Sequence, residues 1–70
     1  MRGNQLEQLR KVVSGLLEAG VSRDEIIRAS RQAITMWAVN QANGNQCHAA
    51  KRIGVHRNTV SRVINEMRVA

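Results

Sequence analysis

Apolar residues at Leu6, Leu9, Val13, Leu16 and Leu17 fall on one stripe of a helix, with Arg10 and Lys11 on the water side. The spacing predicts a first helix over about residues 5–19, capped by Asn4 and ended by Gly20. Ser22, Arg23, Asp24 and Glu25 then form a capping box, in which Ser22 and Glu25 exchange side-chain and backbone hydrogen bonds. Asp24 and Glu25 also suit the positive end of a helix dipole. This second helix is expected to reach about Ala42, where Asn43 and Gly44 break it. Its first half carries Ile26, Ser30, Ala33, Ile34 and Trp37 on one side. Residues 33–39 are apolar nearly all round, with Met36 and Val39 turned toward the side of Arg28 and Gln32. A helix of that kind is buried on several sides, and a short chain has little to cover it with. The following helices are expected to supply part of the cover and a second copy the rest. Ile34, Met36, Trp37 and Val39 are the expected dimer interface.

The stretch from Gln46 to Ile64 has the pattern of a helix-turn-helix. Asn45 is placed to cap a third helix over residues 46–53. Ala50 is small where two helices cross closely, and Gly54 can take the left-handed conformation that ends a helix. His56 or Val55 starts a fourth helix reaching about Met67. Val60, Ile64 and Met67, with Val63 beside them, turn toward the core. His56, Arg57, Asn58, Ser61 and Arg62 are left on the free face, where such side chains can reach base edges and phosphates. Lys51 and Arg52 lie late in the third helix, where a cation reaches phosphate at most. An ordinary helical hairpin with a solvated basic face is the plainer alternative.

Charge sharpens this reading. The 70 residues form one expected domain, 1–70, with a formal net charge of +6. Residues 43–70 hold five Lys or Arg against one acid, and residues 1–42 hold six against four. The basic excess therefore concentrates on the helix-turn-helix segment, as in a nucleic-acid binder. Proline is absent and Trp37 is the single aromatic, so aliphatic residues and alanine carry the apolar content of an all-α fold. Neither a transmembrane run nor a signal-peptide hydrophobic region is apparent, and a lone cysteine forms no internal disulfide. The expected location is the cytoplasm, at the nucleoid.

Two longer helices followed by a compact helix-turn-helix resemble the Fis family. The residues Gly44, Asn45, Gln46, Cys47, His48, Ala49 and Ala50, then residues 53–60, look like that family's C-terminal signature, which also ends activators of the NtrC type. The resemblance implies a four-helix Fis-like domain and an intertwined homodimer, with residues 5–42 as dimerisation helices and 45–67 as the helix-turn-helix. It implies two recognition helices in adjacent major grooves of bent double-stranded DNA. Arg57 matches the base-reading arginine, Asn45 and Thr59 match phosphate-contacting positions, and Arg62 matches a basic position near the backbone. Ser61 and Cys47 depart from the family, standing where it has a basic and a hydroxyl residue.

Other chemistry finds little support. Cys47, His48 and His56 fit no metal-ligand spacing, and no fourth ligand stands with them. Neither an acid pair, a nucleophile with its base, nor a glycine-rich phosphate loop is present, so no enzyme, cofactor or small-molecule ligand is expected. Trp37 is read as core, on the helix-two stripe. His56 reads equally as a solvent-facing cap or as a DNA contact. Arg23, Arg28 and Arg31 form a patch on the second helix that reads as a solvated face rather than as a flanking-DNA contact, the alternative it leaves open. The expected function is that of a dimeric DNA-binding protein, a transcriptional regulator or a nucleoid-associated DNA-bending protein. The alternatives are a helical protein-interaction module and the DNA-binding fragment of a larger activator.

Overall fold

Thr35 and Ala38 from the second helix, Ala49 and Ala50 from the third, and Val60 and Val63 from the fourth meet in one small core. The computed structural model describes residues 2–69, all-helical with no strand among them. In chain order the elements are α1 (Arg2–Glu18), α2 (Arg23–Gln41), α3 (Gln46–Ile53) and α4 (Arg57–Val69). Helices α2, α3 and α4 pack mutually, while α1 leans on α2 alone and buries no residue.

The helix ends follow local chemistry. Ser22 caps α2, its Oγ accepting from the Glu25 N–H at 3.1 Å. Only this half of the expected exchange forms among the described hydrogen bonds. Asn45 caps α3 in the same way, its Oδ1 accepting from the His48 N–H at 3.1 Å. At the other ends one closure occurs three times. The Val21 N–H donates to the Leu16 carbonyl at 3.0 Å, Gly44 to Val39 at 2.9 Å and Val55 to Ala50 at 3.0 Å. Each six-residue loop turns at a left-handed residue, respectively Gly20, Asn43 and Gly54. This is the Schellman motif, which satisfies carbonyls that a helix end otherwise leaves unpaired.

Three expectations are corrected. Asn4 does not cap α1, because the helix begins at Arg2 and takes Asn4 into its first turn. With no proline nearby, nothing stops the helix at Asn4. The fourth helix starts at Arg57 and runs to Val69, past the expected Met67. Trp37 is not core in the single chain, where it is 50% exposed. The reason is which side of α2 the helix-turn-helix covers. It packs on Thr35 and Ala38 and leaves the stripe of Ile34 and Trp37 open, with Met36 also exposed and Val39 half-buried.

The resulting molecule is open. Its radius of gyration is 13.7 Å, against about 11 Å for a compact domain of this length. Its accessible surface is 5766 Å², roughly 1,400 Å² more than a compact monomer of this mass exposes. Much of the apolar part lies on α1 and α2, where Leu6, Leu9, Val12, Leu17, Ile34 and Trp37 are each half exposed or more.

Gly54 isolates the cost of one closure. Its φ is +74°, and a Cβ added there meets no atom within 4 Å. Gly54→Ala is therefore a purely conformational change and should lower unfolding free energy by about 1–2 kcal/mol. A denaturant titration checks this, and Gly54→Asn should lose less because asparagine tolerates the left-handed region.

Candidate nucleic-acid interface

The docking of α3 against α4 leaves one face of α4 in solvent. Val60 and Val63 point into the core, with Ile64 half-buried beside them. The opposite side carries Asn58, Ser61, Arg62 and Asn65, which line one groove. At 100° per residue, Asn58 and Asn65 lie almost directly above one another. Asn65 was not singled out in the sequence, although its i+7 relation to Asn58 marks it. Arg57 and Arg62 are both exposed.

Two contacts fix the α4 face relative to α3. The Ser61 hydroxyl donates to Gln46 Oε1 at 2.6 Å in a partly buried bond. Arg57 Nη1 lies 3.8 Å from Cys47 Sγ. Ser61 thus has a structural partner, while the Arg57 guanidinium keeps most of its five donors free.

His56 caps α4. The Asn58 N–H donates to its Nδ1 at 3.0 Å, and the Thr59 N–H donates to the His56 carbonyl at 3.0 Å. An imidazole accepting at Nδ1 carries its proton on Nε2, which remains as a donor. The cap and a contact to an anion are therefore compatible in one side chain.

A second polar surface lies between the end of α2 and α3. Asn45, His48, Lys51 and Arg52 line a crevice of about 590 Å³ there. The Arg52 guanidinium carbon stands 5.0 Å from the centre of the Trp37 ring, a cation–π distance. Thr59 lies apart from both surfaces. It is half-buried and lines a small cavity with Thr35, Ile53 and Val55.

The electrostatics favour an anion. The first turn of α2 holds Asp24 and Glu25, whereas the first turns of α3 and α4 hold no acid. Their positive dipole ends are thus capped by neutral side chains or backbone and not neutralised by a carboxylate. Among the described residues, no group of three His, Cys, Asp or Glu is placed to hold a metal. Nor is any described helix long and apolar enough to cross a membrane.

Comparisons with protein-family models, curated proteins and solved structures returned no match.

The Ser61 bond gives a test of how the face is held. Ser61→Ala leaves the partly buried Gln46 carbonyl oxygen without its donor, at a cost of about 1 kcal/mol. A thermal melt of this variant should show a lower midpoint with unchanged helix content.

Proposed function

We propose that this chain is a Fis-like homodimeric helix-turn-helix protein that binds double-stranded DNA and acts in transcriptional regulation or in bending nucleoid DNA. The observation that carries the reading is the α3–Gly54–α4 unit. Its core is closed by alanine and valine, its first turns carry no acid, and its outer face carries Arg57, Asn58, Arg62 and Asn65. A helix presenting such residues fits the major groove, with its N-terminal residues nearest the base edges. Arg57 in the first turn of α4 is the base reader, because a guanidinium bonds guanine O6 and N7 together. Asn45, Lys51 and Arg52 serve the backbone.

The dimer is supported by the surface that one chain leaves open. An isolated helix of this length is marginal in water, and α1 carries Gly3 and Gly15 besides. Its only described side-chain ion pair is Glu7–Arg10, at 3.4 Å and exposed, and such pairs contribute little. Apolar burial against a partner therefore has to hold it. Covering the excess of roughly 1,400 Å² on each of two chains buries about 2,800 Å², within the range of permanent homodimers. Ile34, Met36 and Trp37 lie on that surface, and half-buried Val39 borders it.

Sedimentation should give a dimer at micromolar concentration. Met36→Asp should split it or unfold the chain, since a buried unpaired carboxylate costs several kcal/mol. A folded parent monomer would remove the dimer from this reading.

Mobility-shift titrations with duplex DNA, single-stranded DNA and RNA at several salt concentrations test the function. Duplex binding should show a log–log salt slope on the order of −5 to −8 for the dimer. Arg57→Ala should cost about 1–3 kcal/mol per half-site on the preferred sequence and much less on random duplex. Lys51→Ala, which leaves the Arg52–Trp37 contact intact, should weaken both alike and lower the slope by about one unit per subunit. Absence of duplex binding would leave a protein-interaction module as the better reading.

A further inference from the structure

Packing divides the three arginines of the α2 patch. Arg23 lies 3.5 Å from Asp24 in an exposed pair. Arg31 borders the small cavity beside Ile34 and Thr35. All three border a smaller hollow with Glu66 of α4, but of the three Arg28 alone also lines the groove beside Asn58, Ser61, Arg62 and Asn65. That groove measures about 830 Å³, with Arg28 and Gln32 on one wall and Asn58, Ser61, Arg62 and Asn65 on the other. Arg28 is exposed and, among the described residues, has no carboxylate within salt-bridge distance.

The outer face of α4 therefore has two flanks. On one side stands α3, joined through Gln46 to Ser61 and through Cys47 to Arg57. On the other stands α2, presenting Arg28 and Gln32 across the groove. A helix lying in the major groove has a sugar–phosphate strand along each of its flanks. The α3 side meets one strand with the acid-free first turn of that helix. The α2 side needs a cation to meet the other, and Arg28 is the one in position.

We propose that Arg28, together with Arg62 across the groove, holds the phosphate backbone of the second strand, so that α4 is clamped from both sides. The inference rests on the DNA-binding reading above. An arginine fork suits it because two parallel N–H groups bond two phosphate oxygens. The Gln32 amide adds a donor on the same wall. Glu66 also lines the groove, one helical turn beyond Arg62. Its carboxylate repels phosphate and so bounds the strand's path at that end.

The test compares two substitutions of equal charge. Arg28→Ala removes the cation from the groove, while Arg23→Ala removes one that lies outside it. Both side chains are exposed, so circular dichroism and sedimentation should match the parent. Duplex binding is then titrated against salt for all three proteins. Arg28→Ala should reduce the magnitude of the log–log slope by about two units for a dimer, near 0.9 per lost phosphate contact. It should weaken preferred and random duplexes by a similar factor, because backbone contacts carry no sequence information. Arg23→Ala should keep the parent slope. A parent that binds duplex, with Arg28→Ala and Arg23→Ala giving the same slope, overturns the clamp and leaves the DNA reading standing. A parent that binds no duplex at any salt overturns both.

Discussion

Among the described residues, three of the five buried apolar ones are alanines, Ala38, Ala49 and Ala50, and the fold depends on that close approach. A side chain reaching no further than Cβ lets α2, α3 and α4 come together around Val60, the largest fully buried side chain. Helix α3 has only eight residues and would not persist alone in water. Packed at Ala49 and Ala50, it becomes a fixed strut that sets the angle of α4. A larger residue at any of the three alanines would wedge the helices apart and turn the outer face of α4 as it did so. The same constraint keeps the core small. Alanines bury little apolar area, and a core this size leaves a short chain marginal. Close packing of the helix-turn-helix and the apolar surface that one chain leaves open thus have one cause.

The repeated helix closure adds the second element of rigidity. Each closure ties an amide beyond the turn to a carbonyl five residues earlier, so direction reverses within a few residues. Two of these turns are followed almost at once by a side-chain cap on the next helix, Ser22 for α2 and Asn45 for α3. The third leads to His56, whose ring does the same for α4. Donors and acceptors at consecutive helix ends are therefore satisfied locally, and the connections carry little slack.

What was legible in the sequence follows from which signals are local. The capping residues Ser22 and Asn45, the stop at Asn43 and Gly44, and the turn at Gly54 depend on neighbours within six residues. They were readable for that reason. Of the three alanines, Ala50 was readable too, because size and position within a known helical spacing decide it, while Ala38 and Ala49 were not singled out. Asn4 was misread because a cap residue also needs something to halt the helix before it, and nothing there does. Trp37 was misplaced because a helix apolar nearly all round has several plausible inner faces. Only the docking of α3 and α4 onto Thr35 and Ala38 chooses among them. The Ser61–Gln46 bond and the Arg52–Trp37 contact span 15 residues each, and depend on how the helices cross. Arg28 could not be told apart from Arg23 and Arg31 in sequence for the same reason, since the wall it faces belongs to α4. The all-helical class and the four helices were thus visible at the level of residues, and the contacts between side chains of different helices were not.

The placement of α3 and α4 on one side of α2 also leaves its other side open. Thr35 and Trp37 are two residues apart and so about 200° apart around α2. One faces the core shared with α3 and α4, and the other faces away from it. A partner covering Trp37 therefore need not compete with the packing that holds α4. The two surfaces are still not independent, because Arg52 of α3 lies over the Trp37 ring. Burying that ring in a dimer removes water from beside the guanidinium and strengthens the cation–π contact. The late turn of α3 would then be held from the dimer side as well as from the core. Under the proposed dimer, association would fix the helix that supports α4, and the basic face would gain rigidity without any change in its own residues.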